Sequence, residues 1–148
     1  MRTRLAFLIG SLFAVACGSS TPRAGKLPVH DTFSRVGDGA AAMARATDGA
    51  VVKTHGDYGW LRLDGRAGET VDVWIRSNDG DAVAFLLDRH DDVIASADDA
   101  APGVRDAHLT VTLSSAGTYY LAVREYSYAS ATLRVELVRR PVKRPDCV

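Results

Sequence analysis

Aspartates are concentrated in three short stretches of the sequence, where their carboxylates could bind a metal ion. The stretches are residues 79–81, 88–92 and 98–99. Ca²⁺ in proteins takes about six to eight oxygen ligands, often from aspartate-rich loops. The spacing matches no EF-hand, and aspartate is also an ordinary residue of β-turns because its side chain bonds the local backbone. Two interpretations therefore stay open, a calcium site and a set of structural turns, and no other cofactor is expected.

Side chains that could act as nucleophiles or zinc ligands are scattered. The four histidines, His30, His55, His90 and His108, stand singly, whereas a zinc site needs several ligands with local spacing. The sequence has no Gly-x-Ser-x-Gly motif and no glycine-rich phosphate loop. Serine catalysis and nucleotide binding therefore lack their usual framework. We expect a protein that is not an enzyme.

Aromatic residues offer another kind of chemistry, which is contact with a protein or a polymer. Trp60 and Trp74 fall on the polar side of an alternating pattern. Outward aromatic side chains stabilise a sheet as cross-strand pairs by about 0.2–1 kcal/mol. They also form contact surfaces, because they combine apolar area with a polar tip. Both roles stay open. The residues predicted to form a binding face are Trp60, Arg62, Trp74, Tyr120, Tyr126 and Tyr128.

From residue 50 onward apolar and polar residues alternate, which is typical of β-strands. Eight runs show this pattern, and the turns between them are rich in Gly, Asp and Asn, which suit tight turns. Eight such strands without a strong helical segment predict an all-β fold, an antiparallel jelly-roll-like β-sandwich. The runs are 50–55, 58–64, 69–77, 82–88, 92–97, 107–114, 118–126 and 131–139.

Two pairs of neighbouring runs are predicted to pair as hairpins. Opposing Leu63 with Val71 keeps the apolar residues of the second and third runs on one face, because a slip of one residue would invert every side chain. This register places Trp60 opposite Trp74. The seventh and eighth runs are predicted to pair in the same way. The run 82–88 is apolar on both faces and is predicted to be a central, covered strand.

The first residues of the sequence predict a targeting segment. Arg2 and Arg4 precede an apolar stretch at residues 5–16, which is shorter than the roughly 20 residues needed to span a bilayer. Ala16 stands before Cys17 at the end of this stretch, an arrangement that resembles the lipobox of bacterial lipoproteins. The resemblance implies cleavage before Cys17, its acylation, and anchorage in a membrane of the bacterial cell envelope, on the periplasmic or outer surface. An ordinary secretory signal peptide is the alternative.

These patterns divide the chain into four regions. The predicted signal peptide at 1–16 is followed by a flexible tether at 17–35, a β-sandwich domain at 36–139 and a C-terminal tail at 140–148. The first residues of the domain hold an alanine run bracketed by glycines, which predicts a short arm or a weak edge strand. Cys147 in the tail has no partner in the chain if Cys17 is acylated.

Composition limits the classes of partner. Lys and Arg together number 18, and Asp and Glu also number 18. A balanced chain lacks the electrostatic attraction that nucleic-acid binding requires, so we exclude that class. Hydrophobic residues make up 47% of the 148 residues, which is enough for the core of one domain.

The motifs of the predicted β-domain resemble a known bacterial family. The stretches are GDYGWLRLDGRAGETVDVWI, AVAFLLDRHDDVIASADD, AGTYYLAVREY and ATLRVEL. They are similar to the bacterial pre-peptidase C-terminal domain, whose pattern has an Asp-x-Asp-Trp strand, an Ala-Gly loop and a Gly-Thr-Tyr-Tyr strand. Here Gly59 occupies the position of the second aspartate, and Leu61 replaces the aromatic residue after Trp60.

The resemblance implies a jelly-roll-like β-sandwich of a kind that usually trails secreted peptidases and is thought to aid secretion, folding or substrate attachment. The collagen-binding domains of bacterial collagenases are similar modules. By analogy with calcium-binding relatives, Asp57, Asp98 and Asp99 are the first candidate calcium ligands. The acidic N-terminal arm of those relatives is represented here only by Asp31 and Asp38.

These observations lead to one functional hypothesis and one alternative. The first is a non-catalytic accessory lipoprotein, anchored to a membrane, that contacts an extracellular polymer or an envelope protein through the surface of its β-sandwich. The alternative is a structural or regulatory subunit, or an inhibitor, of an envelope or secreted peptidase complex.

Overall fold

The computed structural model describes residues 43–142, and these form an all-β domain. The predicted signal peptide, the predicted tether, Cys17 and Cys147 lie outside these residues. Among residues 43–142 there is no helix with the length and hydropathy needed to cross a bilayer. The strands are β1 (Val51–His55), β2 (Gly59–Gly65), β3 (Thr70–Ser77), β4 (Ala82–Leu87), β5 (Val93–Ala97), β6 (Ala107–Thr112), β7 (Gly117–Glu125) and β8 (Ser130–Arg140).

The strands form two antiparallel sheets of four strands, packed face to face. The first sheet has the order β2-β7-β4-β5, and the second has the order β1-β8-β3-β6. The predicted all-β sandwich of about eight strands is therefore confirmed. Successive strands mostly lie in opposite sheets, and β4–β5 is the only hairpin of sequential strands among the described residues. The chain thus passes repeatedly from one layer to the other.

The predicted pairings of β2 with β3 and of β7 with β8 are wrong. Leu61 on β2 lies opposite Leu121 on β7, whereas β3 lies between β6 and β8 in the other sheet. Strands β7 and β8 are likewise in different sheets. The alternation of apolar and polar residues determines which side chains point inward. Two successive strands bury the same side chains whether they pair as a hairpin or lie in opposite sheets. Trp60 and Trp74 therefore lie on opposite outer faces of the sandwich and do not form one surface.

The core fills the space between the two sheets. Leu61, Leu63 and Leu121 approach it from the first sheet, and Val73 and Ile75 approach it from the second; all five are at most 3% exposed. Strand β4 lies between β7 and β5 and is buried at every position, which confirms the prediction of a central, covered strand. Burial on both faces of β4 means that its outward side chains are covered by something other than the second sheet.

Gly59 stands where β1 and β2 approach each other across the sandwich. A Cβ atom at this position would collide with Val52 Cγ1 and lie 3.3 Å from Thr54 Cγ2. Real Cβ atoms do not approach other atoms so closely, so the position has no room for a side chain. The departure from the acidic residue of the family pattern is thus explained by the close packing of the two sheets at this point.

The segment before β1 links the two sheets. Ala44 O accepts a hydrogen bond from Arg62 N and Ala46 N donates one to Arg62 O, both at 2.8 Å, so residues 44–46 run parallel to β2 at its edge. Further on, Gly49 N donates to Val135 O at 2.8 Å. The described part of the predicted arm therefore covers one edge of the first sheet before the chain enters the second.

Candidate functional site

Four connections between strands meet at one end of the sandwich. They precede β2, β4, β6 and β8. Tyr126 N donates to Asp81 O at 2.7 Å, Ala82 N donates to Arg105 O at 2.8 Å, and Arg124 Nε donates to Tyr58 Oη at 3.1 Å. These bonds join all four connections. We call the group of Tyr58, Arg124, Tyr126 and Tyr128 the tyrosine end.

Arg124 organises the tyrosine end from within. The residue is only 4% exposed. Its Nη1 donates to the carbonyl oxygens of Glu125 at 3.1 Å and Tyr126 at 2.9 Å. The guanidinium carbon lies 4.2 Å from the ring centroid of Tyr128 and 5.6 Å from that of Tyr58, within the range of cation–π attraction. One buried cation therefore fixes the backbone of the β7–β8 turn and the rings on either side of it.

The adjacent Glu125 caps the same turn. Its Oε2 accepts hydrogen bonds from Ser127 N and Ser127 Oγ at 2.7 Å and from Ala129 N at 3.0 Å. The hydrogen bond from the Ser127 side chain lowers the pKa of Glu125, burial opposes this shift, and the backbone donors of Ala129 and Ser127 add to it. The carboxylate therefore stays ionised where it closes the turn.

The turn presents two tyrosines to solvent. Tyr126 is 56% exposed and Tyr128 is 47% exposed. Tyr128 also has a φ of 60°, a conformation that is uncommon for a bulky residue and requires support from its surroundings. Arg124 and Glu125 provide that support. The turn thus holds exposed aromatic rings in a defined position.

An acidic cluster lies beside the tyrosine end. Ligand oxygens of Asp81, Asp98 and Asp99 all lie within 4.8 Å of one another. Burial raises the pKa of Asp81 and of Asp98, and the neighbouring carboxylates raise both further. Asp81 Oδ1 is buried and has no hydrogen-bond partner among the described residues. Three convergent carboxylates with an unbonded oxygen fit Ca²⁺, a hard cation that prefers oxygen ligands.

The structure brings together two of the three predicted calcium ligands. Asp98 and Asp99 belong to the acidic cluster, whereas Asp57 Oδ1 accepts a hydrogen bond from His55 N at 3.1 Å in the β1–β2 turn. Asp81 completes the cluster instead. In the stretch 88–92, Asp88 caps its own turn by accepting bonds from His90 N and Asp92 N at 2.7 and 3.1 Å.

The outer side of the first sheet carries a second apolar cluster. Val83, Phe85 and Leu87 on β4 and Ala122 on β7 are at most 5% exposed, although they point away from the core between the sheets. We call the outer side of this sheet around Phe85 the aromatic face. The aromatic residues packed with Phe85 are Tyr58, Trp60 and Tyr120.

Two predicted site residues belong to the aromatic face rather than to the exposed turn. The ring centroid of Trp60 lies 6.0 Å from that of Tyr58, and Tyr120 packs against the same cluster. Arg62 lies directly opposite Tyr120, and its Nη2 is 3.9 Å from Asp64 Oδ2. Trp60 therefore neighbours the tyrosine end through Tyr58, whereas Tyr120 and Arg62 lie farther along the sheet.

Trp74 lies on the outer side of the second sheet, where its ring is already in contact with other groups. The ring of His108 stacks on the indole with centroids 4.1 Å apart, and the guanidinium carbon of Arg76 is 4.1 Å from the indole centroid. Arg76 also bonds Asp106 at 2.9 Å and Glu136 at 3.2 Å. A ligand would have to displace this network to stack on Trp74.

A threonine, a histidine and an aspartate meet beside Trp74 without forming a catalytic triad. His108 Nε2 lies 2.8 Å from Asp72 Oδ1 and 3.4 Å from Thr110 Oγ1. In a triad the acid and the hydroxyl contact different ring nitrogens, so that the acid orients the base. Here both contact the same nitrogen. This arrangement does not activate the hydroxyl as a nucleophile.

Comparisons with known proteins agree with this architecture. Residues 57–125 match the family described as the bacterial pre-peptidase C-terminal domain. The structure is similar to the pre-peptidase C-terminal domain of a collagenase from Bacillus anthracis, with 14% identity, 65% of this chain and 94% of that chain covered, and a TM-score of 0.52.

A second similar structure is a periplasmic inhibitor of g-type lysozyme from Aeromonas hydrophila, with 17% identity, coverage of 65% of this chain and 96% of that chain, and a TM-score of 0.47. A search of curated proteins found no match. The family match extends from the turn before β2 to the end of β7, so this part of the sandwich is similar to the bacterial pre-peptidase C-terminal domain.

Proposed function

We propose that the protein is a non-catalytic binding module of the bacterial cell envelope, anchored to a membrane through Cys17, that contacts a protein or polymer through the tyrosine end. The observation that carries the proposal is the β7–β8 turn. There, Tyr126 and Tyr128 are exposed while Arg124 and Glu125 fix the backbone that bears them.

A fixed aromatic turn is well suited to binding. Tyrosine has few rotatable bonds and combines a large apolar surface with a hydroxyl group, so it loses little conformational entropy in an interface. Ordering a flexible loop would lower the affinity, because the entropy lost on binding offsets part of the contact energy. In this turn the Arg124 and Glu125 contacts have already ordered the backbone.

Anchorage at one end and contact at the other would explain the order of the chain. Cys17 follows the apolar segment 5–16, and the β-domain comes after a stretch rich in Gly, Ser and Pro. Each acyl methylene buried in a bilayer contributes about 0.8 kcal/mol, and more than one chain is needed for stable attachment. Metabolic labelling with palmitate tests this part of the proposal. We expect label in the wild type and none in Cys17→Ala.

Retention on immobilised collagen, chitin and peptidoglycan tests the binding part. The key variant combines Tyr126→Ser with Tyr128→Asn, because asparagine tolerates the positive φ at position 128. Val138→Ala is the matched control, since Val138 is 54% exposed and lies on β8 of the second sheet.

We expect the wild type and the control to be retained on at least one of these materials, and the double variant to lose at least tenfold in retention. Equal retention of the double variant would show that another surface binds. No retention of any protein would count against contact with these polymers.

A further inference from the structure

Strand β5 forms one edge of the first sheet. It pairs with β4 on one side, and within residues 43–142 no strand pairs with its other side. The opposite edge of the same sheet differs, because residues 44–46 pair with β2 there. An edge strand presents unpaired N–H and C=O groups, to which another chain can add. Among residues 43–142, one edge of this sheet is therefore completed by a further segment and the other is not.

The hydrogen bonds of β4 indicate which backbone groups of β5 point outward. Ala82 N donates to Arg105 O at 2.8 Å, away from β7, so the even-numbered residues of β4 direct their N–H and C=O groups toward β5. Residues 84 and 86 lie opposite Ala97 and Ala95 and share the hydrogen bonds of this strand pair. Ser96 stands between the two alanines, so its N–H and C=O groups point out of the sheet edge.

The sequence of β5 lacks the usual protection of an edge strand. Natural edge strands are commonly blocked by Lys, Pro or inward-pointing charges. The strand Val93–Ala97 holds no charged residue and no proline, and all of its residues are partly exposed. At an edge of the second sheet, by contrast, β1 carries Lys53. The last three side chains of β5 are small, which lets another backbone approach closely.

Carboxylates bracket β5 at both ends. Residues 91–92 directly precede the strand and residues 98–99 directly follow it, and all four are aspartate. The two connections that contain them, 88–92 and 98–106, each hold three aspartates and one arginine. Both ends of the edge therefore carry an excess of negative charge.

This charge pattern argues against a second copy of the chain as the added strand. Antiparallel pairing of two β5 strands would place residues 91–92 of one copy beside residues 98–99 of the other, and parallel pairing would place each acidic pair beside its own equivalent. Like charges directly opposite each other destabilise a strand pair. A strand with basic residues on both sides would instead be attracted.

We propose that β5 binds an extended peptide segment of a partner protein by strand addition, with basic residues of the peptide beside residues 91–92 and 98–99. Main-chain hydrogen bonds to Ser96 supply affinity, and the flanking charges supply specificity. The basic residues stand about 20 Å apart, which is the distance from residue 92 to residue 98 at 3.4 Å per residue. The inference holds whether or not the turn of Tyr126 and Tyr128 binds a ligand.

Two synthetic heptapeptides test the proposal with the purified full chain in EDTA, which keeps calcium from the neighbouring acidic cluster. One is Lys-Thr-Val-Thr-Val-Thr-Lys, and the other has glutamate in place of both lysines. Anisotropy of labelled peptide measures binding, and NMR measures amide hydrogen exchange. Ser96→Pro removes the outward N–H and leaves the bonds to β4. Val51→Pro is the matched control on β1, because Ala50 O accepts a bond from Val135 N, so the next N–H, that of Val51, points away from β8.

We expect the lysine peptide to bind with a Kd of about 0.1–1 mM and to slow the amide exchange of Ser96 but not of Val51. Ser96→Pro should weaken binding about tenfold through the lost hydrogen bond, whereas Val51→Pro should bind as the wild type does. The glutamate peptide should bind about tenfold more weakly than the lysine peptide. Asp92→Asn combined with Asp99→Asn should reduce this preference.

The exchange measurement needs no variant, so the proposal can be tested even if Ser96→Pro does not fold. The proposal is overturned if the lysine peptide does not bind, if the two peptides bind equally, or if Ser96→Pro binds as well as the wild type. It is also overturned if exchange at Ser96 slows with protein concentration alone, which would make a second copy the occupant. Tyr126→Ser combined with Tyr128→Asn should keep full affinity for the lysine peptide, which separates this site from the tyrosine end.

Discussion

The guanidinium of Arg124 lies 4.2 Å from the ring centroid of Tyr128 and donates a 2.9 Å hydrogen bond to the carbonyl oxygen of Tyr126. The same buried group thus bonds the turn and supports the ring that the turn presents. Tyr128 needs such support, since its φ of 60° is unfavourable for a bulky side chain. The conformation of the tyrosine end depends on a cation that does not itself face the solvent.

Arg124→Lys should therefore loosen the turn. Lysine keeps the charge but lacks the planar group that bonds two carbonyl oxygens and stacks on a ring. We expect the free energy of unfolding to fall by about 1–3 kcal/mol, measured by urea denaturation, with faster amide hydrogen exchange at residues 126–129. Arg134→Lys, at an exposed position of β8, should change stability by less than about 0.5 kcal/mol. Equal effects of the two substitutions would contradict this role for Arg124.

Glu125→Gln should reduce the dependence of stability on pH. The folded pKa of Glu125 lies below its ordinary value of 4.5. Its contribution is therefore complete above pH 4.5 and is lost as the pH falls through the lower folded pKa. The wild type should be more stable than the variant at pH 7, and the difference should shrink toward pH 3. Thermal unfolding at several pH values measures this difference in stability. A difference that does not change with pH would show that the ionised carboxylate of Glu125 does not stabilise the turn.

Gly59→Ala tests the close packing between β1 and β2. The added methyl group would collide with Val52 Cγ1, and overpacking of this kind costs about 1–3 kcal/mol. Val52→Ala removes this Cγ1 atom. We expect the double variant to be more stable than the sum of the two single effects predicts, with a coupling of about 0.5–3 kcal/mol. Additive effects would mean that the strands separate rather than clash.

Much of the fold could be predicted from the sequence because alternation records which side chains are buried. Leu61, Leu63, Val71 and Val73 were all predicted to share the core, and they do. Their pairing could not be predicted in the same way. A hairpin and a crossover between two sheets bury the same residues, so local pattern does not distinguish them. For this reason the prediction that Trp60 lies opposite Trp74 was wrong.

The candidate site was predicted only in part. The exposed Tyr126 and Tyr128 were included, but Arg124 and Glu125, which hold them, were not. A signal for them was present, because two ionisable residues end an otherwise apolar strand, and buried charges require partners. Asp81 was also missed as a partner of Asp98. Asp81 directly precedes β4 and Asp98 directly follows β5, so the pairing of these two strands as a hairpin brings them together, and that pairing was not predicted.

The acidic cluster should make stability depend on pH in the opposite direction to Glu125. The folded pKa values of Asp81 and Asp98 lie above their ordinary value of 3.8, with burial as the main cause. The charged form is thus disfavoured in the folded protein, and the resulting penalty grows as the pH rises from 3.8 through the folded pKa. Asp81→Asn should therefore raise the Tm at pH 7, on the order of 2–5 °C, and have little effect near pH 3.

Calcium provides the complementary test of the same cluster. An ion held by Asp81, Asp98 and Asp99 would neutralise their repulsion and bond the unpaired Oδ1 of Asp81. We expect 1 mM CaCl₂, a concentration of about the order at which extracellular calcium sites fill, to raise the Tm of the wild type at pH 7 and to leave that of Asp81→Asn almost unchanged. Asp57→Asn, outside the cluster, should respond as the wild type does. If calcium leaves the wild type unchanged while Asp81→Asn alone raises the Tm, the cluster is a site of unrelieved repulsion and not a calcium site, because an ion that binds only the folded protein must raise its stability as the ion concentration exceeds the dissociation constant.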